Sequence, residues 1–446
     1  MTPRLKRRLR RILAGMALVA LVLRLLFGVL WAKPVSYMLG GDAETYQAMA
    51  VNLCLGRGVS ETSPEVSPAR PSSGRVPLYP IFQASIYCVF GVNHVVLRIA
   101  QAILGTIACL LIYRLGLLAW NWQIGLTAAG FAVIYQPFIH YYYYGGPGSL
   151  FPEYFLSFLL VCFGLAFLAA LRSRRAWWWP TSGALLGLAA LTRPEVAPFL
   201  IFALLLILWH EAPRYKAALL HGGLVAAAML VVLSPWMVRN YYVHGRFVAL
   251  ATMGGRNFYL GNNTGGRGHV GEDLTPADKL RLAALPEAQR DREYYRLGVE
   301  FWRRHPGSLP KLFTKKLLTL MAVYNEDVRV LFNAFYSFML PFALLGAVLA
   351  LRRGRANTLP LLFVALLVHY LVIAMLFFGE PRYRYSIEAF LILLAAYAGW
   401  VLAERLARPV VATGVGLWAV ANALGYFYWE EIFPALRGVA RLIGLG

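Results

Sequence analysis

Hydrophobic residues in this chain are gathered into runs of about twenty, divided by short arginine-rich loops. An α-helix rising about 1.5 Å per residue needs a run of that length to cross roughly 30 Å of hydrocarbon. The first run follows Arg4, Lys6, Arg7, Arg8, Arg10 and Arg11 and extends to Trp31. It is too long for the apolar core of a typical signal peptide, and no small-residue cleavage site follows, so it predicts an uncleaved first span. Further spans are predicted near residues 95–118, 124–141, 153–171, 177–192, 194–210, 219–238, 329–351, 358–378, 385–403 and 409–428. The stretch 177–210 exceeds one span and contains Thr192-Arg193-Pro194, so it is read as two short helices with Arg193 near the outer face.

A shorter apolar stretch, residues 77–91, reaches only about 22 Å as a helix and is placed at the interface. Charge parity agrees. Only if 77–91 does not cross do the basic loops Arg172/Arg174/Arg175, Arg214/Lys216, Arg352/Arg353/Arg355 and Arg405/Arg408 share the side of the basic N-terminus, the cytoplasm. The expected fold is an all-α polytopic membrane protein of about 11 transmembrane helices. Residues 1–31 form the basic N-terminus and span 1, and 32–94 a first periplasmic loop with two interfacial helices. Spans 2–7 fill 95–240, a large periplasmic loop 241–328, spans 8–11 329–428 and a periplasmic tail 429–446. Within the large insert, 254–271 reads as a Gly/Asn turn region and 276–316 as polar helix. No internal repeat and no paired broken helices are visible, which argues against a transporter or flippase, the rival class.

Composition confirms the class: 59% of the 446 residues are hydrophobic, and mean hydropathy is +0.58. The 43 Lys+Arg against 21 Asp+Glu give a net charge of +22. That excess sits in loops beside apolar runs, where it sets topology and attracts anionic membrane lipids. No basic helix with interleaved aromatics offers a nucleic-acid platform, so that partner is excluded. Cys54 and Cys88 could share the first external loop, where a disulfide is one option; Cys109 and Cys162 lie in apolar runs.

The candidate chemistry falls on one side. Gly40-Gly41-Asp42-Ala43-Glu44-Thr45-Tyr46 leaves span 1, and Tyr46, Met49, Ala50 and Leu53 recur at helical spacing before Gly56. Asp42 reads either as the N-cap of that helix or as an acid facing a cleft. Glu153, in Gly-Ser-Leu-Phe-Pro-Glu-Tyr, opens a span, where it is either a wet first-turn acid or a functional one. Arg75, Arg193, Arg239 with Asn240, and Arg382 with Arg384 lie at predicted outer ends of spans. Interfacial anchoring explains such arginines, and so does bidentate binding of a phosphate. Tyr141–Tyr144 reads as an aromatic belt or a sugar platform; His140 and His269 are lone histidines, and Asn262 sits in a tight turn.

In order, the motifs are Asp42-Ala43-Glu44-Thr45-Tyr46, Arg75-Val76-Pro77-Leu78-Tyr79-Pro80, Glu153, Leu191-Thr192-Arg193-Pro194, Pro235-Trp236 with Arg239-Asn240-Tyr241, Gly261-Asn262-Asn263 and Pro381-Arg382-Tyr383. This series resembles the GT-C glycosyltransferases of the dolichyl-phosphate-mannose protein mannosyltransferase and aminoarabinose transferase type. The resemblance implies a GT-C fold and transfer of a sugar from a polyprenyl-phosphate donor to a lipid, glycan or protein acceptor. It implies a bacterial inner membrane enzyme with a periplasmic active site, acting by inverting displacement; an oligosaccharide ligase is the alternative. Asp42 and Glu153 would be the catalytic acids, with a divalent metal on them one option. Arg75, Arg382, Arg384 and Arg239 would meet the donor phosphate, and Glu44, Tyr46, Tyr79, Arg193, Asn240 and Asn262 would line the substrate. Gly74 stands where those transferases carry an acid, a departure that weakens the case for a metal site like theirs.

Overall fold

The computed structural model describes residues 2–31, 41–66, 68–139, 150–173, 175–266, 268, 270–322 and 333–428, and every regular element among them is helical. Tyr141–Tyr144, His140, His269 and the tail 429–446 lie outside the described residues. The chain forms two compact units, Met1–Arg256 with Leu274–Tyr295, and Asn257–Asp273 with Arg296–Gly446.

The first unit holds α1 (Pro3–Leu25), α2 (Asp42–Cys54), α3 (Leu78–Phe90), α4 (His94–Ala119), α5 (Trp122–Ile134), α6 (Gln136–Ile139), α7 (Glu153–Arg172), α8 (Trp178–Ala190), α9 (Phe199–Glu211) and α10 (Tyr215–His244). The insert then adds α11 (Gly254–Gly261), α12 (Pro276–Ala283) and α13 (Glu287–Arg304). Unit boundaries fall inside α11 and α13, so the insert is divided between the two units. The second unit continues with α14 (Leu309–Leu320), α15 (Ala334–Arg353), α16 (Leu361–Leu376), α17 (Pro381–Arg384), α18 (Glu388–Arg405) and α19 (Arg408–Phe427).

Seven helices among the described residues are long and apolar enough to cross a membrane, and Leu78–Phe90, Trp122–Ile134, Leu361–Leu376 and Pro409–Gly425 are shorter apolar helices. The 177–210 stretch divides as expected, with a single 3-10 turn at Pro194–Val196 between α8 and α9. In hydrocarbon, helices gain little from burying apolar surface, so close backbone approach through small residues holds them together. Between α8 and α10 a methyl on Gly183 would meet the Val225 carbonyl at 2.1 Å, and one on Gly187 would come 3.2 Å from the Met229 carbonyl. Between α15 and α18 the same role falls to Gly346, 2.1 Å from the Leu394 carbonyl.

Two readings change. Asp42 does not cap α2: Gly41, at φ 55°, is the N-cap, and Asp42 is the first helical residue. A glycine takes the positive φ cheaply, which leaves the carboxylate to a nearby guanidinium. The 254–271 turn region begins with a helix, α11, whose glycines admit neighbours: a methyl on Gly255 would sit 1.9 Å from the Asp291 carbonyl.

Candidate functional site

α2 packs on α3 through Ala43, Ala50, Ala84 and Tyr87, and the Cys54–Cys88 disulfide ties their far ends at a Cα separation of 5.2 Å. Between the two helices runs an irregular link, described over residues 55–66 and 68–77, that local hydrogen bonds hold in place. Asn52 Nδ2 donates to the carbonyls of Ser60 (3.1 Å) and Thr62 (2.8 Å), and Ser60 Oγ donates to the Arg70 carbonyl at 2.6 Å. From the end of α10, Arg239 donates to the carbonyls of Val59 and Ser72, both at 2.8 Å, and to Ser73 Oγ at 2.7 Å. Asn240 accepts from Ser73 Oγ at 2.7 Å and donates to the Val248 and Leu250 carbonyls. Glu287 accepts from the Ser73 amide at 2.9 Å and from the Thr252 hydroxyl.

This clamp delivers Arg75 to two acids. Its Nη2 lies 2.5 Å from Asp42 Oδ1 and its Nη1 3.0 Å from Glu61 Oε2. Burial works against the Arg75 charge, but Tyr46, Asp42 and Glu61 more than offset it. Burial pushes the Glu61 carboxyl up, with Arg75 opposing and Glu287 adding to the rise. Asp42 keeps 37% of its side chain exposed, whereas Glu61 keeps 22%. Glu44 points to solvent.

A second charged chain opens α7. Glu153 is fully buried, and Arg193 Nη1 lies 3.1 Å from its Oε1 while Arg193 Nε lies 2.7 Å from Glu195 Oε1. The Leu78 amide, starting α3, donates to the Leu191 carbonyl at 2.9 Å and so fixes the start of α3 to the end of α8. Tyr46 joins the two chains. The Arg75 guanidinium lies 5.4 Å from its ring centre, and the Tyr79 ring meets it edge-on at 5.5 Å. Burial raises the Tyr46 pKa, and the charges of Arg193, Asp42, Arg75 and Glu153 all reach the phenol. Tyr79 is buried, donates to Gln101 Oε1 at 3.2 Å, and is pushed well up by burial, then by Tyr87, Glu153 and Tyr46.

Asp42, Tyr46, Tyr79, Arg75, Glu153 and Arg193 therefore share one neighbourhood in the first unit. Arg239 and Asn240 support it from behind as clamps on the link. Arg382, Arg384 and Asn262 belong to the second unit. Arg384 is buried, donating to the Leu320 (2.7 Å) and Ala322 (2.8 Å) carbonyls, paired with Glu388 at 3.0 Å and stacked over Tyr336. Asn262 is saturated: it donates to the Phe258 and Leu376 carbonyls and accepts from Trp302 Nε1 and Lys316 Nζ, both at 2.7 Å.

Glu61 and Glu195 went unnoticed in the sequence, Glu61 because it lies in a Ser/Pro-rich stretch that reads as a linker. So did Arg24, fully buried in α1 and donating to the Ala20 and Ala132 carbonyls and to Cys109 Sγ. A charge inside an apolar run was its only signal. Among the described residues no three or more His, Cys, Asp or Glu side chains gather as metal ligands. Asp42 and Glu61 both face the Arg75 guanidinium, a poor setting for a cation.

Residues 70–238 match the family model described as dolichyl-phosphate-mannose-protein mannosyltransferase. Among solved structures, the chain resembles the Archaeoglobus fulgidus oligosaccharyltransferase in complex with Zn and sulfate. There the TM-score is 0.54 at 16% identity, covering 94% of this chain and 51% of that one. It also resembles the archaeal oligosaccharyltransferase AglB from the same organism, in complex with an inhibitory peptide and a dolichol-phosphate. That match has a TM-score of 0.53 at 15% identity and covers 96% and 55% of the two chains. ArnT from Cupriavidus metallidurans bound to undecaprenyl phosphate gives 0.41 at 13% identity, covering 90% and 81%. The chain spans about half the length of the archaeal enzymes it matches. No curated protein matches it by sequence. The fold is the GT-C fold of the archaeal oligosaccharyltransferase structures.

Proposed function

We propose that this GT-C chain moves a sugar from a polyprenyl-phosphate-linked donor to a lipid, glycan or protein acceptor at the periplasmic face of a bacterial inner membrane, by one inverting displacement. The observation that carries this reading is the arrangement around Tyr46, where a half-exposed acid shares a guanidinium beside a second, buried acid–arginine chain. Asp42 has the exposure and the first-turn position of a general base. It takes the proton of the acceptor as that group attacks the sugar C1. Arg75 Nη2, which faces Asp42 in the resting site, turns to the departing phosphate and balances the charge that grows there. Glu153 holds Arg193 at the rim, and Tyr79 and Tyr46 supply the apolar wall.

The Cys54–Cys88 disulfide supports the assigned side, because such bonds persist in oxidising compartments and this one lies wholly in the first loop. The eleven-span order with a cytoplasmic N-terminus belongs to the same proposal. Asp42→Asn tests it: the variant should reach the membrane at normal levels and lose transfer by about 10²–10⁴-fold. Normal transfer in that variant removes Asp42 from the chemistry and sinks the mechanism.

A further inference from the structure

Glu61 is the acid that the transfer scheme does not use, yet the chain takes unusual care over it. Asn52 bonds the carbonyls on either side of it, at Ser60 and Thr62, and Arg239 fixes Val59 and Ser72. The irregular link thus has a defined path on both sides of the residue. Room for the carboxylate comes from Gly74: a Cβ there would stand 2.3 Å from Glu61 Oε1. Glycine at 74 and glutamate at 61 therefore form one packing unit directly before Arg75.

We infer that Glu61 is a positioning residue, holding Arg75 by Nη1 so that Nη2 alone is exchanged between Asp42 and the donor phosphate. The inference rests on the transfer reading above. An arginine with one acid partner would swing free when a phosphate displaced that acid. With Glu61 on Nη1 at 3.0 Å, the guanidinium keeps its place and its neutralising charge throughout the exchange. The guanidinium is planar and carries its donors in fixed directions, so fixing Nη1 also fixes the direction in which Nη2 offers its charge-assisted hydrogen bond.

Three variants test this without touching Asp42 or Arg75. Glu61→Ser removes the carboxylate, Gly74→Ala displaces it by crowding, and in the double variant the added methyl has no carboxylate left to displace. Each should bind undecaprenyl phosphate about tenfold more weakly and raise the donor KM while the acceptor KM stays put. The double variant should be no worse than either single one, because both act on the same contact. Glu61→Gln, which can still accept from Nη1, should keep most of the affinity. Wild-type affinity in Glu61→Ser, or losses that multiply in the double variant, would overturn the inference, as would equal rises in both KM values. Should Glu61→Ser fail to reach the membrane, Gly74→Ala and Glu61→Gln decide alone: weakened binding in the first with near-normal binding in the second supports the inference, and any other pattern overturns it. Failure of the broader reading is separable. An active Asp42→Asn enzyme with weakened lipid-phosphate binding in Glu61→Ser rejects the transfer scheme and leaves the Arg75 support standing.

Discussion

Replacing Cys54 and Cys88 by serine should loosen the segment from α2 to α3 specifically. The disulfide closes a loop with a sequence separation of 34, and that loop contains the link bearing Glu61 and Arg75. On the chain-entropy account, opening such a loop without its cross-link gains freedom worth about 4 kcal/mol near room temperature. At about 1.4 kcal/mol per factor of ten, the opening equilibrium of α2 and α3 could rise by up to about 10³. Real gains usually fall short of that ceiling, because the opened segment keeps some structure. Hydrogen–deuterium exchange in lipid nanodiscs gives the assay, comparing the wild-type protein, the protein with reductant and the C54S/C88S variant. Amides of α2 and α3 should exchange tens to hundreds of times faster in the last two, while α15 and α18 stay unchanged. Transfer should fall with them, since Asp42 rides on α2 and Arg75 precedes α3. Unchanged exchange in α2 and α3 would refute the reasoning and show that Asn52 and Arg239 suffice to hold the loop.

Two further outcomes test the energetics. Arg193→Met leaves the buried Glu153 without its 3.1 Å guanidinium partner and should lower thermal stability by about 3–5 kcal/mol; E153Q/R193M should recover part of that in the same melts. In the second unit, burial pushes Lys316 down to about 7, with Nζ donating to Asn262 and the Met375 carbonyl. The unfolded chain holds that proton up to about 10.4, so between about 7 and 10 the unfolded form binds more protons and stability rises with pH. Lys316→Met should flatten this rise, as read by melts or by exchange in α14; an unaltered slope would show that Lys316 does not cause it.

Much of the candidate site was legible because acids are rare in this chain and Asp42 and Glu153 stand at helix starts. Asp42 stands out for its position after the first apolar run, though the capping role its sequence suggests falls to Gly41. Local pattern assigns a carboxylate to the nearest amides, whereas the fold brings Arg75 from 33 residues away. Glu61 was invisible for the same reason, since its guanidinium partner Arg75 lies 14 residues on and Arg239, at the distant end of α10, holds the link between them. The arginines show the limit most clearly. Arg75 and Arg384 look alike in sequence, each within three residues of a proline and of a helix start, yet one bridges two acids, one of them half-exposed, and the other ties down two main-chain carbonyls. What a guanidinium touches is decided by tertiary packing, which a one-dimensional pattern does not record. The same holds for residues 254–261, where glycines that suggest turns instead let a helix press against its neighbours.

The bare seam between α8 and α10 has a reach beyond the lipid it displaces. α8 ends three residues before Arg193, and the carbonyl of Leu191 holds the first turn of α3, itself three residues after Arg75. Gly183 and Gly187 thus act as the gauge blocks of an alignment jig: the depth at which α8 seats against α10 determines where both guanidiniums come to rest. A bulkier residue there would leave a protein of normal helicity with its charges out of true.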